Sequence, residues 1–182
     1  MYRLPALTVE NLTAEQKRVY DAIVTGPRGA IGGPFAPWLL SPELADRAQS
    51  LGAFCRFGTS LPPRLSELAI LVTARHWTAQ FEWYAHAPMA REGGLADAAI
   101  DAIAERRRPE NLQADEQAVY DFACESLATG RVGDDTYRRA TEALGERAVV
   151  ELVGILGYYC LVSLTLNIFR IEPPDGSVPL AD

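Results

Sequence analysis

The chain is poor in the residues that most often carry redox or metal chemistry: three cysteines, two histidines and two methionines in 182 residues. Cys55, Cys124 and Cys160 lie far apart, with no CxxC pair and no metal-ligand spacing among them. A vicinal dithiol and a cysteine-rich zinc module are thereby excluded, and a reduced, cytoplasmic compartment is the simplest reading. No HxxxH or HExxH pair occurs either, so neither a metal nor another cofactor is expected. Basic charge is also scarce. Seventeen Lys and Arg against 24 Asp and Glu give a net charge of -7, which argues against a nucleic-acid partner. The one basic cluster, Arg106-Arg107-Arg108 before Pro109, reads as a helix end, where the helix dipole favours cations. The segment Met1-Tyr2-Arg3-Leu4-Pro5 has no apolar core of signal-peptide length. Alternating β-branched runs with hairpin turns are missing throughout.

What remains is 48% hydrophobic residues and 23% charged ones, an ordinary globular balance with enough apolar content for a sizeable core. The pattern is helical, and the fold class is all-α. Thr13 with Gln16 three residues on is a capping box, starting a helix that runs to about Val24 and the Gly26-Pro27 breaker. Residues 29–37 hold three glycines and two prolines and read as loop. Ser41-Pro42 opens a helix to about Phe57, with Ser41 as cap, and Pro62-Pro63 opens the next. Gly93-Gly94 closes the segment around His86. Helices are expected over about 96–107, 114–127, 135–143 and 146–169, followed by an irregular tail from Pro173.

The stretch from Ala148 to Phe169 approaches the length of a membrane span. Glu151 and Asn167 lie inside it and no basic flank marks it, so the buried centre of a bundle or an oligomer interface is expected rather than a membrane partner.

An internal repeat is visible. The run from Leu12 to Asp21 matches the run from Leu112 to Asp121, with Leu, Ala, an acid, Val, Tyr and Asp in register. Arg47-Ala48 and Leu51-Gly52 pair with Arg139-Ala140 and Leu144-Gly145, and Glu67-Leu68 with Glu151-Leu152. One all-helical domain over 1–182 is expected, with repeat-like halves at about 8–95 and 108–172.

Both histidines fall in one segment, near Trp77 and Trp83. Glu82 and His86 are four apart and share a helical face. Glu67 and His86 are nineteen apart, about 28 Å on a straight helix, so they meet only if the chain breaks and folds back. Thr78 is the expected cap of the new helix, and Pro88 predicts a kink just after His86.

This arrangement resembles the carboxymuconolactone decarboxylase and alkylhydroperoxidase D-like superfamily. Its pattern places a glutamate, a CxxC pair and a histidine on two consecutive helices. Glu67 and His86 stand at the outer positions with matching spacing. The cysteine positions are Ala79 and Glu82. The run Gln80-Phe81-Glu82-Trp83-Tyr84-Ala85-His86 is similar to cysteine-free members, and Glu82 with His86 matches the Glu-x-x-x-His of the decarboxylases. The resemblance implies an alkylhydroperoxidase D-like helical bundle, a homo-oligomer (trimer or hexamer), and a site of Glu67, Glu82 and His86. A dithiol peroxidase cycle needs an attacking and a resolving thiol, which Ala79 and Glu82 cannot supply.

The leading expectation is a cofactor-free lyase or isomerase, a decarboxylase-like enzyme acting on a small carboxylated or lactone-type substrate. In it His86 exchanges the proton, Glu82 orients His86, and Glu67 holds a proton behind it. Arg75 is the candidate clamp for a substrate carboxylate, and His76, Trp83, Tyr159 and Asn167 complete the candidate substrate-binding set. Two alternatives stand beside it: a peroxiredoxin-like antioxidant activity, and a non-catalytic oligomeric ligand-binding protein.

Overall fold

A computed structural model describes residues 3–4, 7–26 and 29–181. Pro27 of the expected breaker and Met1, Tyr2 and Pro5 of the N-terminal segment lie outside the described residues. Within them the chain is helical and contains no strand: a 3-10 turn at Val9–Asn11, then α1 (Ala14–Thr25), α2 (Phe35–Trp38), α3 (Pro42–Phe57), α4 (Pro63–His76), α5 (Gln80–Glu92), α6 (Asp97–Ala104), α7 (Ala114–Thr129), α8 (Asp134–Leu144) and α9 (Glu146–Phe169).

Local chemistry sets most of these limits. Thr13 and Gln16 form the reciprocal capping box, and Gln113 and Glu116 form a second one a hundred residues later. Val19 and Val119, paired in the sequence repeat, are both fully buried. Pro42 and Pro63 occupy first-turn positions, where the missing N–H costs nothing. Ser41 stands at the N-cap of α3 but makes no side-chain capping bond.

Two expectations are corrected here. Residues 29–37 are not loop throughout: Phe35 and Trp38 bury their side chains and close the single turn of α2. The Trp38 indole donates to Thr165 Oγ1 at 3.1 Å and meets Tyr158 edge-on, and this packing overrides the glycines and prolines. The second correction concerns α6, which stops at Ala104, short of Arg107. Arg106 is left-handed (φ 57), and the Arg107 N–H returns to the Ala102 carbonyl at 2.8 Å, a Schellman-type ending. The arginines therefore follow the helix and make specific bonds. Arg106 donates to Thr78 Oγ1, and Arg108 pairs with Asp121.

The two central helices are α4 and α9. From Leu65 to Arg75 every residue of α4 is buried, and it packs against α5, α6, α7 and α9. By length and composition α9 could cross a membrane, yet 61% of its most apolar window is buried inside this fold. Its one charged inward residue, Glu151, anchors the start of the site helix. Glu151 Oε2 accepts from both the N–H and the hydroxyl of Ser60 at 2.6 Å, and Oε1 accepts from Arg147 at 2.8 Å. The Ser60 hydroxyl and N–H, with Arg147, pull this carboxyl down to about 2. Glu151→Gln is expected to cost about 1–3 kcal/mol, the range for losing charge-assisted bonds at a buried group. Because the folded pKa is depressed, this contribution is present above the ordinary glutamate range and lost as pH falls towards about 2. Urea unfolding of both proteins at pH 7 and in acid checks this. An equal gap at both pH values would contradict it.

The break between α4 and α5 positions the site. Trp77 ends α4, Thr78 is left-handed (φ 48), and the extended Ala79 starts α5. The Ala79 N–H returns to Ala74 O at 2.8 Å. A β-branched residue is disfavoured in the left-handed region. Thr78 is held there because its hydroxyl oxygen accepts from Arg75 Nη1 at 3.1 Å and from Arg106 Nη2 at 2.9 Å. The helix cap is therefore Ala79 and not Thr78, whose oxygen is already committed. Helix α5 then runs through Pro88 to Glu92. The tail is irregular, as expected, but docks on this elbow: Gln80 exchanges two hydrogen bonds with the Leu180 backbone, and Leu180 is buried.

Candidate active site

The elbow folds α5 back along α4 and brings the second turn of one against the second turn of the other. Glu67 and His86, nineteen residues apart, meet with Nδ1···Oε2 at 2.6 Å. One turn back on α5, Glu82 Oε1 lies 2.9 Å from His86 Nε2. All three side chains are buried. His86 thus sits between two carboxylates, with both ring nitrogens engaged.

That environment sets its protonation. Burial alone would lower the pKa of His86, but the Glu82 charge, the Glu67 and Glu82 hydrogen bonds and the Glu67 charge together outweigh it, raising it to about 9. At neutral pH the ring is an imidazolium donating to Glu67 on one side and Glu82 on the other. Tyr159 meets the imidazole edge-on, with centroids 5.2 Å apart, and Tyr158 meets Tyr159 in the same way. Burial, then the Glu82 and Glu67 charges, push the Tyr159 phenol well above its usual value, so it stays protonated.

A cavity of about 210 Å3 opens beside the triad. Glu82, His86, Tyr158 and Tyr159 line it, Arg56 supplies a cation, and the loop from Ala30 to Phe35 walls it off with Phe81. Glu67 does not line it and stands behind His86. Gly33 is required where the loop approaches: it has φ +55, and a Cβ there would lie 2.9 Å from the Phe81 ring.

Of the expected site residues, the structure brings Glu67, Glu82, His86 and Tyr159 together. It does not bring Arg75, His76, Trp83 or Asn167 to the cavity. Arg75 is buried at the elbow, donating to Thr78 and to the Ala181 carbonyl. His76 is exposed at the end of α4, edge-on to Trp77, and burial followed by the Arg106 charge lowers its pKa. Trp83 belongs to the hydrophobic core. Asn167 is exposed and donates to the Trp77 carbonyl at 2.7 Å, a brace for the elbow. All four lie near the site in sequence or in the repeat, but helical geometry turns them to other faces. Arg56 on α3 was missed. A basic residue in the last turn of a helix is unremarkable by itself, and only the packing of α3 against α9 aims it at the cavity. Its guanidinium also donates to Met89 Sδ at 3.1 Å and lies over the Phe57 ring.

No cysteine lines this cavity. Cys124 borders a separate pocket with Arg75 and His76, and burial pushes its thiol up, away from the thiolate that peroxide chemistry needs. Among the described residues, no group of three or more His, Cys, Asp or Glu side chains is arranged to hold a metal ion.

No family model matches the chain, and no curated protein matches it. Solved structures do. An uncharacterized peroxidase-related protein from Silicibacter sp. TM1040 superposes with a TM-score of 0.76 at 12% identity, covering 94% of this chain and 91% of its own. A protein of unknown function from Agrobacterium tumefaciens, with a candidate assignment as the antioxidant defence protein AhpD, superposes with a TM-score of 0.63 at 16% identity, covering 76% and 95%. The architecture is therefore an all-α bundle of the kind these two proteins share. More particularly, the chain has the alkylhydroperoxidase D-like fold.

Proposed function

We propose that this protein is a cofactor-free proton-transfer enzyme, a lyase or isomerase acting on a small carboxylated or lactone-type substrate, with Glu82 as the group that exchanges the proton. The observation that carries this reading is the closed Glu67–His86–Glu82 chain with only its Glu82 end and the His86 ring at the cavity. Because both imidazole nitrogens are engaged, His86 cannot reach a substrate carbon without giving up a carboxylate. The direct role first expected of His86 therefore passes to Glu82. Sliding the proton across the 2.9 Å contact from Nε2 to Oε1 converts Glu82 from carboxylate to carboxylic acid with no change in total charge. As carboxylate it can abstract a proton α to a carbonyl. As acid it can protonate the carbanion left when a C–C bond to carboxylate breaks and carbon dioxide leaves, and the Glu82–His86 pair then takes back one proton from solvent through the cavity. Glu67 keeps the imidazole oriented and positively charged. Arg56, rather than Arg75, is the guanidinium placed to hold a substrate carboxylate, and the neutral Tyr159 phenol is a donor for a developing enolate oxygen.

The antioxidant label of the structural neighbours is the second reading, but no thiol stands at this cavity to support it. The test is to incubate the protein with small β-keto acids, lactones and enolisable acids in D2O, following carbon dioxide release and deuterium uptake at the α carbon by NMR. Turnover of at least one class is expected, with Arg56→Gln raising KM for carboxylated substrates more than it lowers kcat. Neither exchange nor release from any of them, together with thiol-independent inertness to peroxide, would leave only a non-catalytic binding role.

A further inference from the structure

The arginine run at 106–108 is a sequence feature that the active cavity does not absorb. Helices α6 and α7 both pack on α4, and a second cavity of about 190 Å3 opens between them, sharing no lining residue with the first. Val72, Ile103 and Leu127 give it an apolar wall, while Arg106 and Arg107 border it with positive charge. In a chain of net charge -7, no Asp or Glu lines it among the described residues. The left-handed Arg106 follows the end of α6 and brings both arginines to this edge. Arg106 is exposed and makes no ion pair among the described residues; its guanidinium donates to the neutral Thr78 hydroxyl at 2.9 Å. Arg107 pairs at the surface with Glu105. Asp121, on α7 nearby in the chain, is already held by Arg108 and Arg139. The floor carries no charge to offset the arginines. Burial, then the contact with Cys124, pushes the Tyr120 phenol up to about 12, and burial pushes the Cys124 thiol up. His76 at the rim has its pKa lowered by burial and by Arg106, so at neutral pH its ring is an uncharged N–H donor.

We propose that this cavity is a second binding site, for a small monocarboxylate with a compact apolar body, such as an aryl or branched-alkyl acid. Arg106 and Arg107 hold the carboxylate, with His76 as a further donor, and the body lies against Val72, Ile103 and Leu127. A guanidinium matches a carboxylate with two parallel bonds. An inorganic anion would satisfy the cations but leave the apolar wall in water, and an amide of the same shape would bury the wall but leave the cations unpaired. The volume of about 190 Å3 lies below the roughly 300–1,000 Å3 of pockets for drug-sized ligands, which limits the body to a single ring or a short branched chain.

The chain has two histidines, His76 at this cavity and His86 at the active one, so imidazole NMR signals resolve the two sites. The experiment is a titration of the full chain with phenylacetate at pH 7, repeated with acetate, phosphate and phenylacetamide. Phenylacetate is expected to move the His76 signal saturably with a Kd at or below about 1 mM, a modest demand for a ligand of this size. Each of the other three should bind there at least about tenfold more weakly. Arg106→Gln should weaken phenylacetate at His76, but it also releases Thr78 at the elbow. Arg107→Gln is the sharper variant, because Arg107 is exposed and pairs at the surface. It should weaken binding by about threefold or more, with helix content and the unliganded His86 signal unchanged. Arg56→Gln should leave the His76 titration at its wild-type value. Absence of a saturable His76 shift, acetate or phosphate matching phenylacetate, or wild-type affinity in Arg107→Gln would each overturn the proposal.

Discussion

Replacing His86 with glutamine is expected to lower folding stability at pH 7 by about 3–5 kcal/mol, the cost of removing one member of a buried charge set. The variant leaves Glu67 and Glu82, both buried, without the cation between them, and an amide can donate to only one carboxylate at a time with good geometry. Two like charges confined together cannot both stay ionised cheaply. Wild type should also show a pH dependence that the variant lacks. The folded His86 value of about 9 lies above the ordinary 6.5. Its contribution is therefore fully present below about 6.5 and lost as pH rises through about 9, by an amount on the order of 3 kcal/mol. Urea unfolding of both proteins from about pH 6 to alkaline pH reads the gap and its loss. A wild-type stability that stays flat between 6.5 and 9 would mean that His86 is neutral in the folded protein, and the imidazolium assignment would be lost.

The second large effect is kinetic. Once a substrate is in hand, Glu82→Gln should reduce kcat by about 10²–10⁴-fold, the usual worth of a positioned proton-transfer group, while KM changes little. The amide is close in shape, and its oxygen can still accept from His86 Nε2–H, so the helix pair and the cavity should survive. Glu67→Gln separates positioning from chemistry. Glu67 stands behind the ring, outside the cavity, so its loss should lower kcat less. It should also move the alkaline limb of the pH profile down, because a carboxylate that raises His86 has been neutralised. Equal kcat losses in the two variants with no movement of the pH profile would place both residues in a merely structural role. Full activity in Glu82→Gln would remove Glu82 as the proton-exchanging group.

Much of this site could be read from the chain in advance, and the reasons are local. Glu82 and His86 are one helical turn apart, so any helix through them makes the pair. Glu67 could join only through a fold-back, since about 28 Å of straight helix would otherwise separate it from His86. The position of the break was legible, but its chemistry was not. Thr78 has the composition of a cap, yet Arg75 and Arg106 claim its hydroxyl, and Arg106 arrives from just beyond the end of α6, 28 residues on. Likewise no local signal marks Arg56 as the guanidinium at the cavity, or turns Arg75 away to the Ala181 carbonyl.

The division follows from the range of the forces involved. Backbone propensity, capping and i,i+4 spacing act within a few residues, so the sequence by itself determined an all-helical chain, most helix starts, the acid–histidine pair and the absence of a dithiol. Which face of each helix turns inward depends on what packs against it, and that is a property of the assembled bundle. Only the tertiary structure decided that both nitrogens of His86 are held by carboxylates. It alone also set Arg56 opposite the triad.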